Sequence, residues 1–241
     1  MGSPLGSPDD VVSTGRAVRD MFAAVAPRYD FLNHFLSVSI DRRWRRLAVR
    51  KVAELTESAK PILCLDECSG TGDLALALNR ALGCDVIASD FCHPMLSHAR
   101  AKFGGRPVRN VEADTLSLPF ADKSFDALTI AFGLRNLEDP LRGLTEMRRV
   151  LRPGGAMVIL EFSKPVVPVL NQVFNFYFRY IVPKIGGLIS GDGTAYEYLP
   201  DSVRRFPAQD EMLTLLRSAG FNAPAYRNLS GGIAALHWAR A

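Results

Sequence analysis

The segment that most constrains the fold is 65–75, with the sequence LDECSGTGDLA. An apolar stretch, ILCL, leads into Asp66, and Gly70 and Gly72 follow before a stretch that has the apolar spacing of a helix. Glycines at such a turn let the backbone approach a ligand, and the N–H groups that begin the helix can bind its acidic part. The segment therefore predicts a βα unit with a ligand-binding glycine turn.

Downstream of this turn, short apolar segments alternate with helical ones. Alternation of this kind predicts an α/β fold with a mostly parallel, doubly wound sheet. The predicted strands are 62–66, 85–90, 108–114, 125–132, 156–162, 223–229 and 233–239. The predicted helices between them are 73–82, 93–103, 139–151 and 210–220, and a turn at Pro153-Gly154-Gly155 is expected to follow the third of these.

The remaining regions define the predicted organisation of the 241-residue chain. Residues 1–15 begin with MGSPLGSPDD, which predicts a disordered N-terminus and lacks the apolar core of a signal peptide. Residues 16–241 are expected to form one domain. Within it, 16–60 is predicted to be a helical lid broken at Pro27, and 164–207 an aromatic, proline- and glycine-rich insertion on the substrate side.

Composition argues against several classes of protein. Lys and Arg outnumber Asp and Glu by 29 to 25, a formal charge of +4 that is too small to indicate a nucleic-acid partner. The four cysteines form no CxxC pair and have no histidine at zinc-binding spacing, so we expect reduced packing residues and no metal site. No uncharged apolar run reaches the length of a membrane span. We therefore expect a cytoplasmic protein.

Two cofactors are compatible with the glycine turn. Gly70-Thr71-Gly72-x-x-Ala75 matches the loose dinucleotide fingerprint GxGxxG/A, which favours NAD. In a dinucleotide site, however, the first glycine directly follows the strand and the turn receives a pyrophosphate, which the carboxylate of Asp66 would repel. That carboxylate suits S-adenosylmethionine, which carries a sulfonium and an ammonium group and no phosphate.

Two more acidic residues lie at the ends of the next predicted strands. Asp90 ends the second strand, where a carboxylate can accept hydrogen bonds from both ribose hydroxyls of a nucleoside. Asp114 ends the third strand, where it can accept from the adenine amino group. Because the carboxyl ends of parallel strands share one edge of the sheet, we expect these residues to line one pocket with Asp66. The alternative role for all three is to cap the helices that follow.

Motifs beyond the glycine turn carry a closer resemblance. They are RxMFxxVAPRYDFLNxxLSxxxDRRW at 19–44, FGLRN at 132–136, RVLRPGG at 149–155, LEFSKP at 160–165, YxYLxxSxRxFP at 196–207 and ALH at 235–237. Over 17–239 the chain resembles the menaquinone/ubiquinone biosynthesis C-methyltransferase family (demethylmenaquinone methyltransferase / polyprenyl-methoxy-benzoquinol methylase) in its bacterial form. FGLRN with LEFSKP is specific to this family, whereas the glycine motif and RVLRPGG are shared by many methyltransferases.

The resemblance implies a fold, a reaction and a binding site. The fold would be a Rossmann-like class I S-adenosylmethionine-dependent methyltransferase with a seven-stranded, mostly parallel sheet and an insertion after the fifth strand. The reaction would move a methyl group from S-adenosyl-L-methionine to a ring carbon of a polyprenylated quinol in menaquinone or ubiquinone biosynthesis. The residues expected to bind the cofactor are Asp66, Gly70, Thr71, Gly72, Asp90, Phe91, Asp114, Thr115 and Ala131.

The chemistry requires that the quinol lose a phenolic proton, because the ring carbon must be electron-rich to accept a methyl group. The predicted catalytic residues are Arg135 and Asn136, after the fourth strand, and Tyr29 in the lid, where Asp30 is a further candidate. Arginine is a poor base in water, so Arg135 is expected to stabilise the phenolate or to orient a water. The alternatives are an ion pair of Arg135 with Glu138 or Asp139, and plain packing of Tyr29.

Four positions depart from the family pattern. Cys68 stands where such enzymes often have a glycine, and it is expected to narrow the space beside the methionine end of the cofactor. Ala131 stands where some relatives have a serine hydroxyl, so that contact with the cofactor is lost. Ser39 and Asp41 replace a glycine and a histidine, which removes any catalytic use of that histidine here.

The polyprenyl tail of such a substrate needs an apolar path, for which 170–190 and 31–36 are the best candidates. The cationic stretch 42–51 with Trp44 is expected to contact anionic lipid headgroups, peripherally at the inner face of the membrane; the alternative is a solvated helix face. The aromatic insertion could equally form a homodimer surface. Two other functions stay open at this point: methylation of another small lipophilic or phenolic substrate, and an NAD(P)-dependent oxidoreductase.

Overall fold

The computed structural model describes residues 8–30, 37, 39–57, 62–168, 172, 174 and 194–241. The strands among them are β1 (Leu63–Glu67), β2 (Asp85–Asp90), β3 (Val108–Glu112), β4 (Phe125–Ala131), β5 (Leu151–Phe162), β6 (Asn222–Leu229) and β7 (Ala234–Arg240). They form a 7-stranded sheet in the order β3-β2-β1-β4-β5-β7-β6.

Helices lie on both sides of this sheet. They are α1 (Pro8–Val25), α2 (Ile40–Leu55), α3 (Asp73–Leu82), α4 (His93–Phe103), α5 (Pro140–Val150), α6 (Thr194–Arg205) and α7 (Gln209–Ser218). Short 3-10 turns span Ala26–Arg28, Leu134–Asn136 and Ser230–Gly232.

The order of the strands fixes where a ligand can bind. β1 pairs in parallel with β2 and β4, so the chain runs outward from β1 to β3 and then crosses back to β4. β7 is antiparallel to β5 and to β6. In doubly wound sheets, ligands bind outside the carboxyl ends of the strands where the order reverses, which here is between β1 and β4. The predicted α/β fold with a seven-stranded, mostly parallel sheet is confirmed.

One predicted turn has a different place in the structure. Pro153-Gly154-Gly155 does not close a helix, because α5 ends at Val150 and these three residues lie inside β5. The backbone there pairs with the end of the chain, since Ala241 N donates to Gly155 O at 3.0 Å. Pairing with β4 shifts register beside this point, and Gly154 has a φ of 77°. The glycines therefore form an irregularity within a strand that sequence pattern could not distinguish from a turn.

The core consists of two apolar layers, one on each face of the sheet. On one face α2 and α3 bury Trp44, Val52 and Leu78 against the strands, with Cys64 and Cys84 packed there as free thiols. The other layer lies beneath α5 and α7 and contains Phe125, Leu144, Met147, Met157 and Leu216. The strands are thus covered on both faces, as parallel strands require.

The N-terminal helix begins earlier than the sequence indicated. α1 starts at Pro8, within the segment 1–15 for which the sequence predicted disorder. The predicted break at Pro27 is a 3-10 turn that follows α1 directly. The proposed tail-binding segment 31–36 lies outside the described residues, as does nearly all of 170–190. No helix in the described part of the chain has the length and apolar character needed to cross a membrane.

Helix α5 shows how local sequence and packing combine. The side chain of Asp139 caps it by accepting from Arg142 N at 2.9 Å, and Pro140 occupies its first position. Leu144 and Met147 on its inner side are fully buried, whereas Leu141 is 40 % exposed. The helix is therefore held mainly by its inner side.

We predict that Leu144→Ala lowers the free energy of unfolding by about 2–5 kcal/mol, because it leaves a cavity in a packed layer. Leu141→Ala, three residues earlier on the same helix, is the matched control and should change it by about 0.5 kcal/mol or less. Urea unfolding monitored by circular dichroism measures both. Equal effects would contradict the placement of this helix face.

Candidate active site

A cavity of about 280 Å³ lies at the carboxyl ends of β1, β2 and β4, where the strand order reverses. Several predicted site residues line it: Tyr29, Gly70, Asp90, Phe91, Asp114, Thr115, Ala131 and Asn136. It is also lined by residues that the sequence did not single out as site residues, among them Arg19, Phe22, Met95, Phe132, Gly133 and Glu138. One cavity therefore brings together the glycine turn, the ends of the strands and the lid.

Asp90 holds the glycine turn in place. Its two carboxylate oxygens accept from Gly70 N at 2.8 Å and from Cys92 N at 2.9 Å. Gly70 has a φ of 54° and Gly72 a φ of 80°, which favour glycine. Each carboxylate oxygen keeps a second lone pair, so Asp90 can still accept from a ligand in the cavity that it lines.

Three of the predicted cofactor residues do not lie on the cavity wall. Asp66 is buried beneath it, and its carboxylate accepts from Thr129 Oγ1 at 2.6 Å. Thr71 donates to Asp30 of the lid, and Gly72 is buried against Phe103. Asp66 can therefore act on a ligand through its charge, whereas Thr71 connects the glycine turn to the lid.

A cluster of buried carboxylates underlies the cavity. Asp66, Glu67 and Asp90 are 1%, 0% and 7% exposed, and among the described residues no Lys or Arg forms an ion pair with any of them. One oxygen of Asp66 and one of Glu67 have no hydrogen-bond partner in the described structure. Burial raises the pKa of Asp66 to about 7 and that of Glu67 to about 8, and it also raises the pKa of Asp90.

The carboxylate cluster indicates the charge that a ligand of this cavity would carry. A cation bound nearby would stabilise the ionised carboxylates and lower their pKa values, whereas a diphosphate would be repelled. The sequence interpretation assigned Glu67 no role because the predicted strand ended at Asp66, whereas the strand in the structure includes Glu67. Its role depends on Thr115, whose hydroxyl donates to Glu67 Oε2 at 3.0 Å from 48 positions along the chain.

Cys68 has a backbone conformation that residues other than glycine rarely adopt. Its φ is 50°, which explains why a glycine would suit this position. The thiol lies on the cavity wall, 3.6 Å from Thr115 Oγ1. Gly133 makes room for it, because a Cβ built on Gly133 would come within 2.3 Å of the Cβ of Cys68. The side chain of Cys68 is thus accommodated by a glycine in the connection between β4 and α5.

Arg135 points away from the cavity. Its guanidinium donates to Glu161 Oε1 at 2.8 Å and to the carbonyl of Phe132, and its side chain is 7 % exposed. The alternative considered for Arg135, an ion pair with Glu138 or Asp139, is not formed, since its partner is Glu161 at the end of β5. Arg135 does not line the cavity. In this structure it fixes the turn that carries Asn136.

Asn136 is the part of FGLRN that reaches the cavity. Its amide oxygen accepts from Tyr198 Oη at 3.3 Å, and its Nδ2 donates to Phe132 O at 3.4 Å. Tyr198 belongs to α6, 62 positions away, and the sequence interpretation did not assign it a role in the site. Tyr198 is the second tyrosine of the family motif at 196–207, but only the folded chain shows that it orients Asn136.

Tyr29 forms part of an aromatic wall of the cavity. It packs edge-on against Phe22 with ring centroids 6.0 Å apart, and its ring lies 3.9 Å from a Cβ built on Gly70. The lid residue that follows, Asp30, binds Thr71 and Lys102. These contacts hold the end of the lid over the glycine turn.

The two departures at the start of α2, Ser39 and Asp41, also have structural explanations. Ser39 has a φ of 58°, so it occupies a backbone conformation that favours glycine. Asp41 is buried, accepts from Ser37 Oγ at 2.7 Å and pairs with Arg45. Asp41 does not line the cavity. Its carboxylate therefore helps to fix α2.

Comparison with known proteins places this arrangement in a family. The sequence profile of the ubiE/COQ5 methyltransferase family matches residues 10–241. This chain belongs to that family. It is 45% identical to the demethylmenaquinone methyltransferase of Deinococcus radiodurans over 97% of this chain and 95% of the relative. It is 48% identical to the demethylmenaquinone methyltransferase of Thermus thermophilus, covering 90% and 98% of the two chains.

Another similar family member is named for both ubiquinone and menaquinone biosynthesis. The ubiquinone/menaquinone biosynthesis C-methyltransferase UbiE of Geobacter sulfurreducens is 45% identical over 92% of this chain and 88% of its own length. The family and fold identify the chain as a methyltransferase of the class that depends on S-adenosylmethionine. The predicted family and reaction class are confirmed.

Solved structures support the fold. The [4+2]-cyclase SpnF superposes with a TM-score of 0.67 over 92% of this chain and 94% of its own, at 18% identity. A SAM-dependent methyltransferase from Aquifex aeolicus gives a TM-score of 0.57 over 81% and 92%, at 19% identity. At such identities the likeness shows the class I methyltransferase fold and nothing about the substrate.

We predict that Gly133→Ala destabilises the protein by about 1–3 kcal/mol, because its methyl group would overlap the Cβ of Cys68. Cys68→Gly removes that overlap and also releases the left-handed backbone strain at position 68. The double variant should therefore recover most of the loss. Urea unfolding of the four proteins forms a double-mutant cycle, and strictly additive effects would contradict the contact.

The carboxylate cluster predicts how the stability of the ligand-free protein depends on pH. The folded-state pKa of Asp66, about 7, exceeds the ordinary value of 3.8, so the folded protein holds a proton that the unfolded chain releases. The free energy of unfolding should therefore fall as pH rises from about 4 to about 7. Above pH 7 Asp66 is ionised in both states, and its contribution to the loss of stability is complete. Glu67 extends the fall to about pH 8.

Asp66→Asn should make this fall smaller, because the amide keeps the bond from Thr129 and cannot ionise. Asp201→Asn, on a side chain that is 59% exposed, is the matched control and should leave the pH profile unchanged. Urea unfolding at pH 5, 7 and 9 measures the difference. Identical profiles for the wild-type protein and Asp66→Asn would show that Asp66 is ionised throughout.

Proposed function

We propose that this chain binds S-adenosyl-L-methionine in the cavity and catalyses methylation of a ring carbon of a polyprenylated quinol. The observation that carries the proposal is the cavity itself, because Asp90, Asn136 and Tyr29 line it together and the carboxylates of Asp66 and Glu67 are buried next to it. The names of the family relatives support a menaquinone or ubiquinone precursor as the substrate.

The residues present fit the proposed cofactor. Asp90 would accept from the ribose hydroxyls, and Asp114, which lines the cavity and is exposed, would accept from the adenine amino group. The buried negative charge of Asp66 and Glu67 favours the positive sulfonium and ammonium groups. Cys68, on the wall beside Gly133, would lie along the ligand.

S-adenosylmethionine supplies a methyl group on a cationic sulfur, which makes the neutral sulfur a good leaving group. The protein has to orient the quinol and assist the departure of a phenolic proton, since a phenolate makes the ring carbon electron-rich. Asn136 can hold the phenolic oxygen or a water beside it, because Tyr198 fixes its amide. Tyr29 on the aromatic wall can position the ring.

Arg135 has a supporting part in this proposal. Its charge is neutralised by Glu161, so it positions the turn that carries Asn136 and does not contact the substrate. Substitution of Arg135 by alanine would leave Glu161 as an unpaired buried charge and destabilise the fold. Asn136 is therefore the better position at which to test catalysis.

The reaction is tested with radiolabelled S-adenosylmethionine and two reduced acceptors, demethylmenaquinone and the corresponding ubiquinone precursor. We expect the label in the ring of at least one of them. Transfer to a simple phenol with neither quinol as an acceptor would favour the second substrate class. A thermal shift with NADH and none with S-adenosylhomocysteine would contradict the methyltransferase site.

We predict that Asn136→Ala lowers kcat by about tenfold or more while the Kd for S-adenosylhomocysteine changes by about twofold or less, because the residue acts on the acceptor. Tyr198→Phe should lower kcat by a smaller factor, since it removes only the hydroxyl that orients Asn136. Steady-state kinetics and calorimetric titration measure the two quantities. Weaker cofactor binding with unchanged kcat would overturn these roles.

We predict that Asp90→Asn weakens binding of S-adenosylhomocysteine by about tenfold or more, because it removes an acceptor for ribose and disturbs the bonds to Gly70 and Cys92. Asp85→Asn is the matched control, since Asp85 begins the same strand and is exposed. Calorimetric titration measures both affinities. Equal affinities for the two variants would contradict the ribose assignment.

A further inference from the structure

Helix α2 has a cationic side that the proposed chemistry does not use. Its inner side, with Trp44, Ala48 and Val52, is buried against the sheet. The outward side carries four exposed arginines, which we call the arginine face: Arg42, Arg43, Arg46 and Arg50. At 3.6 residues per turn these four lie within an arc of about 100° and along about 12 Å of the helix. The arginine face is thus a compact cationic strip.

Among the described residues, no member of the arginine face forms an ion pair. Arg45 on the same helix provides the contrast, because its side chain is 12% exposed and pairs with Asp41 and Asp73. The structure therefore uses one arginine of this helix internally and directs four toward solvent. Guanidinium groups bind phosphate in a bidentate manner and are weakly hydrated, so this strip suits a phosphate-bearing partner.

Exposed apolar side chains lie on a neighbouring loop. Val166 and Val167 follow the end of β5 and are 59% and 45% exposed, and Lys164 beside them is also exposed. The backbone of this loop is fixed, because Val166 N donates to Gly231 O at 3.0 Å. A fixed pair of exposed valines can enter an apolar phase without a large loss of chain entropy.

Helix α2 and the loop with the valines both contact the 3-10 turn Ser230–Gly232. Trp44 Nε1 of α2 donates to Ser230 Oγ at 3.1 Å, and Gly231 of that 3-10 turn accepts from Val166. Trp44 is 3% exposed, so it anchors the helix. The sequence had suggested that Trp44 contacts lipid headgroups, but its buried side chain does not reach the surface. It also packs on Phe132, which lines the cavity, with ring centroids 6.2 Å apart. The helix that carries the arginine face therefore packs, through its inner side, on a residue that lines the proposed active site.

We propose that the arginine face and the loop with Val166 and Val167 form one surface that docks on an anionic lipid bilayer. The proposal rests on the proposed function, because a polyprenylated quinol is dissolved in a membrane. Anionic headgroups complement the arginines, and the apolar layer beneath them accommodates the valines. A nucleic acid would complement the arginines but would give the valines no apolar layer, so the bilayer fits both parts.

The proposal is tested by sedimentation of the full chain with vesicles of phosphatidylcholine and phosphatidylglycerol in equal parts, and with vesicles of phosphatidylcholine. The test variant replaces four arginines by glutamine: Arg42→Gln, Arg43→Gln, Arg46→Gln and Arg50→Gln. The matched control makes the same change of charge at four exposed arginines elsewhere: Arg80→Gln, Arg100→Gln, Arg106→Gln and Arg109→Gln. A third variant, Val166→Ser with Val167→Ser, tests the apolar part.

We expect the wild-type protein and the matched control to bind the anionic vesicles, and the arginine-face variant to bind them at least about tenfold more weakly. The valine variant should also bind more weakly, and raised salt should weaken binding by all proteins that retain the face. Equal loss in the test variant and the control would overturn the proposal, as would no binding by the wild-type protein. Equally tight binding of a short DNA duplex at the same salt would also overturn it.

A parallel assay separates this proposal from the proposed function. With a short-tailed reduced quinone in free solution, the arginine-face variant should methylate at the wild-type rate, because no bilayer is involved. If the wild-type protein methylates no quinol but still binds anionic vesicles through the arginine face, the docking surface stands and the proposed function fails. If it methylates the quinol but the variant binds vesicles normally, the docking surface is wrong.

Discussion

Buried negative charge at the carboxyl ends of β1 and β2 is the constraint on which the site depends. Asp66, Glu67 and Asp90 lie beneath or beside one cavity, and within the described structure none of them forms an ion pair with a Lys or Arg. Charges in such an environment are costly unless they are neutralised by a proton or by a bound cation. The raised pKa values of Asp66 and Glu67 correspond to neutralisation by a proton, and the proposed cofactor would supply the cation.

The rest of the site is arranged around this cluster. Asp90 fixes the glycine turn through Gly70, and the lid returns to the same turn through the bond from Thr71 to Asp30. On the opposite side, the pair of Arg135 with Glu161 fixes the turn that carries Asn136 into the cavity. In the proposed function, the methyl donor and the aromatic acceptor would share this cavity, and different elements of the fold would hold each of them.

The sequence pattern was sufficient to predict the bounds of those helices and strands that depend on local apolar spacing. β2, α3 and α4 have the predicted bounds because their apolar spacing and glycine boundaries lie within the segments themselves. The direction of each site side chain depends on partners far along the chain, so pattern could not give it. Asp66 faces Thr129, Arg135 faces Glu161 and Asn136 meets Tyr198, at separations of 63, 26 and 62 positions. For the same reason, the alternative partners considered for Arg135 were its near neighbours Glu138 and Asp139, whereas its partner in the structure is Glu161.

The most direct test of the account compares S-adenosylmethionine with S-adenosylhomocysteine, which lacks the methyl group and the positive charge on sulfur. Calorimetric titration of the wild-type protein at pH 6 and at pH 8.5 gives the ratio of their affinities. If the buried carboxylates recognise the sulfonium, this ratio should shift toward S-adenosylmethionine as pH rises through the range in which Asp66 and Glu67 ionise. A ratio that is the same at both pH values would contradict the central role of the carboxylate cluster.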